Sequence, residues 1–119
     1  MNTDRFKFRV WSNIRKAYCP ETIYIDQQGK MCRPALDDDK EYVIEQCTGL
    51  RDKNGTLIYE GDIVEAVDDN RKKTYEVKYE PRSVGFLLVS EKFYERYIGV
   101  FHADEIEVVG NIHEWRGEK

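Results

Sequence analysis

The chain opens with its cleanest hydrophobic pattern. Over residues 5–11 apolar and polar side chains alternate strictly, with Phe6, Phe8 and Val10 on one face and Arg5, Lys7, Arg9 and Trp11 on the other. A period of two predicts a half-buried β-strand with Phe6 and Phe8 inside. The same period recurs over residues 73–79, where Tyr75, Val77 and Tyr79 fall on the buried face and Thr74, Glu76 and Lys78 face water. Shorter β-rich runs occupy 22–26, 41–46, 57–59, 63–67 and 105–112, each bounded by turn residues. Residues 84–90 are apolar on both faces, which predicts a strand covered on each side, with Gly85 at a bulge or close approach. Residues 91–98 fit either a short helix capped by Ser90 or an irregular segment. The tail from Glu114 is charged and predicted to fray.

Turn chemistry punctuates these runs. Asn54-Gly55 favours a type I′ turn, with positive φ at both residues, and Gly61-Asp62 forms a second turn directly before Ile63-Val64. Pro34 with Asp37, Asp38 and Asp39 predicts a solvated loop, Asp68-Asp69-Asn70 a turn, and Pro81 the end of a ladder. Many short strands separated by such turns imply a mainly β fold: a strand-rich N-terminal part, residues 1–60, packed on a C-terminal SH3-like small β-barrel, residues 61–119, as one folding unit. Neither half is large enough to bury an adequate core alone.

Composition sharpens this picture. Of the 119 residues 40% are hydrophobic and 13% aromatic, so rings rather than runs of Leu and Ala fill the core, which favours sheet over helix. The net charge is −4 and unevenly spread: residues 1–19 carry five basic side chains against Asp4, a net +4, which leaves −8 for residues 20–119. With pI near 5.3 the chain lacks the broad basic footprint of a non-specific nucleic-acid binder. The longest apolar run is far too short to span a membrane and no signal-peptide core follows the first basic residues, which places the expected site of action in the cytoplasm, away from the membrane.

Candidate chemistry is sparse. Cys19, Cys32 and Cys47 are odd in number and widely spaced, which argues for buried free thiols rather than a disulfide or metal framework. Asp62, after Gly61, is placed to accept a backbone N–H, and Glu60, Asp62, Asp68 and Asp69 read as turn chemistry rather than an ion site. His102 and His113 are the natural candidates for a base, but neither has a nucleophile near it in sequence; His113 reads as a strand-end residue with a satisfied ring nitrogen. No catalytic residue, metal or cofactor is assigned, and the chain is read as no enzyme. Two surfaces remain. Arg5, Lys7, Arg9 and Trp11 make an all-positive strand face suited to association with an acidic partner, a second copy or a phage or host protein. Arg71, Lys72, Lys73, Lys78 and Arg82, interleaved with Tyr75 and Tyr79, form the alternative, a nucleic-acid patch on the barrel, which is the less favoured reading.

Three pieces of the chain carry a resemblance. Thr48-Gly-Leu-Arg-Asp-Lys-Asn-Gly55, Ile58-Tyr-Glu-Gly-Asp-Ile-Val64 and Val109-Gly-Asn-Ile-His-Glu114 resemble the YopX family of bacteriophage and prophage proteins, and Phe6-Lys-Phe-Arg-Val-Trp11 and Val84-Gly-Phe86 fit the same pattern. The resemblance spans nearly the whole chain. It implies a predominantly β fold with a barrel-like C-terminal part and an origin in a phage or integrated element of a bacterial host. The family transfers no biochemical activity and no catalytic residue. Cys47 stands where the family often has an aromatic residue, and the segment of residues 91–102 is longer than the common pattern.

Overall fold

The computed structural model describes residues 3–19, 24–25, 27–28, 31–32, 42–68, 70–82, 84–90 and 95–116. Strands dominate these residues, joined by turns and short 3₁₀ segments, and they contain no α-helix. The mainly β fold predicted from the sequence is therefore the observed one; the predicted loop at Pro34 and Asp37 to Asp39, the Asp69 turn position and residues 91–94 lie outside the described residues. The chain divides into two compact units, residues 1–8 with 45–119, and residues 9–44.

The larger unit is built on a five-stranded antiparallel sheet. Its strands are β7 (Asp62–Asp68), β8 (Arg71–Glu80), β9 (Gly85–Val89), β10 (Glu95–Tyr97) and β11 (Ile106–Asn111), in the order β10-β9-β8-β7-β11. Alternation decides which side chains go inside. Val64 and Ala66 of β7, Tyr75 and Val77 of β8, Leu88 of β9 and Ile106 of β11 share the inner face, and Ile58 and Ile98 complete the cluster with Phe86, Phe101 and Val108 packed against it. Tyr79 shares that face but lies at the strand end, half in water against Phe86 at 5.4 Å between centroids. Leu87 and Leu88 are both buried although they point to opposite faces, as the apolar run of β9 predicts. The pairing of β8 with β9 runs without a shift to Gly85, so that glycine marks the strand's start and not a bulge.

Two further strands, β5 (Tyr42–Arg51) and β6 (Leu57–Tyr59), pair antiparallel with the register slipping between Cys47 and Arg51. Thr48 and Gly49 make the slip: the Thr48 hydroxyl donates to the Ile58 carbonyl at 2.8 Å and accepts the Leu50 N–H at 3.1 Å, and Gly49 takes φ +85°. The Asn54-Gly55 turn differs from the predicted type. Gly55 has φ +81° but Asn54 stays at negative φ, and the Gly55 N–H bonds the Asp52 carbonyl at 3.0 Å. Lys53 and Asn54 are thus the central pair and glycine the fourth residue, a position type I turns favour for it.

The N-terminal strand is the main correction. Residues 4–6 form a 3₁₀ turn, closed by Phe6 N–H to Thr3 O at 2.9 Å and Lys7 N–H to Asp4 O at 3.0 Å. Strand β1 begins only at Phe8–Ser12. A turn carries no period of two, so the alternation does not run on through Phe6, and Phe6 and Phe8 are 54% and 40% exposed instead of buried. In the smaller unit Val10, Trp11 and Ser12 are buried, β1 pairs with β2 (Ala17–Tyr18), and β3 (Tyr24–Ile25) pairs with β4 (Met31–Cys32). The Trp11 ring meets Tyr18 edge-on at 5.1 Å, and the Arg9 guanidinium lies 4.5 Å over Tyr18.

Candidate functional site: a carboxylate and imidazole cluster beside a groove

The outer face of the five-stranded sheet is organised by one row of facing residues. Gly110, Ile63, Glu76, Val89 and Glu95 stand side by side across all five strands. The chain after β11 folds back over this face because Asn111 begins a tight turn. Its side-chain oxygen accepts the N–H groups of His113 and Glu114 at 3.0 and 3.1 Å, and its carbonyl accepts that of Trp115 at 2.9 Å. The Ile112 N–H bonds the Gly61 carbonyl at 2.7 Å. Trp115 consequently lies against Gly110, where a Cβ would come within 3.1 Å of the indole. The predicted frayed tail is thus held as far as Trp115.

This turn delivers His113 to Glu45 of β5, Nε2 to Oε2 at 2.9 Å, with both side chains largely out of water. The Glu45 carboxylate packs over the α-carbon of Gly61, where any Cβ would lie within 2.8 Å of its carboxyl carbon. Gly61 is therefore required twice, by φ +87° and by contact. His113 is the ring-satisfied residue the sequence indicated, but its partner was not foreseen.

Glu76 is the third member. Predicted to face water, its side chain is only 26% exposed. Loss of hydration pushes its carboxyl above the usual range, the Lys78 ammonium opposes that, Glu45 adds to it, and His113 opposes it. Beside it runs a groove of about 230 Å³ lined by Ile63, Thr74, Glu76, Val89 and Trp115, with Lys78 and Ser90 also bordering it. Chemically the cluster offers a carboxylate and imidazole hydrogen-bonded to each other at Glu45 and His113, and a second, half-buried carboxylate at Glu76 beside the groove. Among the described residues no group of three His, Cys, Asp or Glu side chains is placed to hold a metal ion.

The residues singled out from the sequence are distributed otherwise. Arg71 and Lys73 lie on the inner-face side of β8, Lys72 and Lys78 on the outer, and seven residues of strand, roughly 23 Å, separate the ends. Arg71 faces Asp68 across the hairpin, Lys78 reaches Glu76 at 4.0 Å, and Arg82 follows the strand in a turn where its N–H meets Glu80 Oε1 at 2.9 Å. The five do not converge. Of the other set, Lys7 pairs with Asp4 at 3.1 Å, Arg5 stacks on Phe6 at 4.8 Å, Arg9 stacks on Tyr18, and Trp11, at 3% exposure, presents no surface. Asp62 behaves as predicted, its Oδ2 accepting the Tyr59 N–H at 2.7 Å. Cys47 is a buried free thiol, as is expected of a small hydrophobe. His102 is exposed.

Sequence and fold comparisons agree with this architecture. The sequence profile of a family described as YopX protein matches residues 7–115. The chain belongs to the YopX family. Among solved structures, this YopX-family chain is similar to protein EF1440 from Enterococcus faecalis, with 27% identity, TM-score 0.62, and 91% of this chain and 93% of that one covered. It is also similar in fold to protein yopX from Bacillus subtilis, with 21% identity, TM-score 0.63 and coverage of 96% and 95%. None of the curated protein sequences matches it. Neither structural relative carries a stated activity. Among the described residues no helix is long and apolar enough to cross a membrane.

Proposed function

We propose that this YopX-family chain is a phage- or prophage-encoded accessory protein of the bacterial cytoplasm that works by protein association, with a second copy of itself as the first partner. The observation that carries the reading is the exposure of Phe6 and Phe8. Their segment runs beside β5, with the Cys47 N–H on the Lys7 carbonyl at 2.9 Å and Gln46 Nε2 on the Arg5 carbonyl at 3.2 Å. Leu50 on β5 is exposed as well. Scattered apolar residues are normal on a surface, but exposed aromatic rings in a segment with Arg5 stacked on Phe6, and with Lys7 and Arg51 on its Asp4, have the composition of an association surface. Lys7 and Arg51 share one carboxylate, Asp4, so the patch stays positive against a chain whose remainder is strongly acidic. That complementarity favours docking on another copy.

Sedimentation tests this. A species heavier than 14.1 kDa is expected at micromolar concentration, and Phe6→Asp with Phe8→Asp should return it to monomer without loss of fold, since neither ring is in the core. A wild-type monomer in low and high salt alike removes self-association. A steep, salt-sensitive shift of short duplex DNA would instead favour the patch of Arg71, Lys72, Lys73, Lys78 and Arg82. The phage origin is tested separately, by a rise of the transcript when the host's prophages are induced.

A further inference from the structure

The groove beside Trp115 has a composition that selects one kind of guest. Its lining is largely apolar, from Ile63, Val89, Ile112 and Trp115, with the Thr74 and Ser90 hydroxyls added. Glu76 is the carboxylate in that lining. Among the described residues its ion-pair partner is Lys78, at a loose 4.0 Å, and the Lys78 side chain is 54% exposed. A half-buried carboxylate paired only with a distant, exposed ammonium is left short of hydrogen-bond donors. Glu45, the next carboxylate inward, is already bonded to His113, so among the described residues one acidic group lines the groove and a divalent cation would lack its further oxygen ligands.

A guanidinium group meets these conditions better than an ammonium. It supplies two parallel N–H donors to one carboxylate, is more weakly hydrated, and packs its plane against an indole. Glu95 stands in the same row as Glu76 with Val89 between them. Two inter-strand steps put these carboxylates roughly 10 Å apart, about the span of three residues of an extended chain and beyond the reach of one free amino acid. We infer that this groove receives an arginine side chain of a basic polypeptide segment, the guanidinium on the Glu76 carboxylate beside Trp115, with a second basic side chain reaching Glu95. The inference is independent of self-association through Phe6 and Phe8.

The test titrates the full chain with the blocked peptide acetyl-Arg-Gly-Gly-Arg-amide in low salt, reading indole fluorescence and heat. A saturable response at about millimolar peptide is expected, with the fluorescence change lost in Trp115→Phe, which separates it from Trp11. Glu76→Gln should weaken binding about tenfold and Glu95→Gln by less, and the lysine peptide should bind several-fold more weakly than the arginine one. Acidification should weaken binding at a pH above the ordinary carboxylate range, as Glu76, which faces Lys78 on its own strand, Glu45 on β5 and His113 on the C-terminal turn, takes up its proton. Absence of saturable binding, or unchanged affinity in Glu76→Gln, overturns the site. Free L-arginine binding as tightly as the peptide overturns the polypeptide occupant.

Discussion

Asp52 is the residue whose removal should tell most about how the larger unit is closed. It lies in the turn after β5, 5% exposed, and its carboxylate accepts three backbone N–H groups at 2.9 Å: Asn54 and Thr56 on Oδ1, Val108 on Oδ2. The third bond closes the free edge of β11, and Lys53 N–H to the Ile106 carbonyl at 3.0 Å continues that closure. Asp52→Ala leaves the Val108 N–H within a strand without its acceptor, at a cost of about 1–3 kcal/mol, whereas water replaces the acceptor for the exposed Asn54 and Thr56 at about 0.5–1 kcal/mol each. The total is about 2–5 kcal/mol, a large share of a domain's usual 5–15 kcal/mol. For a chain of this size that is a fall in Tm of roughly 8–20 °C. Asp52→Asn keeps one oxygen but turns an NH₂ toward Val108 or toward the turn, and should lose about 1–3 kcal/mol. The sign with pH is fixed. Burial alone would raise the Asp52 carboxyl, but the N–H groups of Val108, Thr56 and Asn54, with Lys53 nearby, outweigh it and hold the group below the usual aspartate range. A depressed folded value contributes stability that is present above the unfolded value and lost as pH falls through the folded one. Urea melts of the wild type and both variants from neutral to acid pH measure these effects. A loss below about 1 kcal/mol in Asp52→Ala, or an unchanged acid slope in Asp52→Asn, refutes the reasoning.

Other substitutions probe the rest of the fold. Gly61→Ala should cost about 2 kcal/mol or more because positive φ and the Glu45 carboxylate both oppose it, whereas Gly55→Ala, with φ +81° but open space, should cost only about 1 kcal/mol; equal losses in urea melts would remove the contact from the account. Phe8→Ala should change stability by less than about 1 kcal/mol and Leu88→Ala by about 2–5 kcal/mol, so a reversed order would return the N-terminal rings to the core. Glu76 has a raised folded carboxyl value, so it favours folding below its unfolded value and loses that contribution as pH rises through the folded one; Glu76→Gln should therefore be more stable than wild type at neutral pH and lose the advantage in acid, and a variant less stable at neutral pH contradicts this.

The sequence was most legible where a period ran unbroken between turns. Strands β7, β8 and β11 follow from alternation and β6 and β9 from short apolar runs, because each is bounded by turns and pairs along its length in a sheet. It misled at residues 5–11, where the alternation is real but Asp4 draws Lys7 and Arg51 around a 3₁₀ turn, and an ion pair with a residue 47 positions away leaves no trace in a local pattern. Trp115 was lost for a similar reason. A charged tail looks frayed until Asn111 is seen to accept three of its N–H groups, through side chain and carbonyl, and the bare Gly110 is seen to give the indole somewhere to lie. Glu76 was placed in water by parity, correctly as to face; what parity does not report is a second layer covering that face.

That second layer explains why the pieces on which the family resemblance rests belong together. Gly61 opens β7 from a turn whose α-carbon sits under the Glu45 carboxylate; Gly110 and Asn111 end β11 in a turn that sends His113 to that same carboxylate. One segment supplies bare backbone, the other the imidazole, and the Ile112 N–H to Gly61 carbonyl bond at 2.7 Å ties them directly. The first segment joins through Asp52, whose carboxylate holds the opposite edge of β11 at Val108. Strand β11 is thereby held by β7 on one side and by the turn after β5 on the other, so three stretches distant in sequence act as one closure. A closure made of single buried carboxylates concentrates its stability in few residues, so substitutions at Asp52 and Gly61 should cost far more than substitutions at the larger but exposed Phe6 or Phe8.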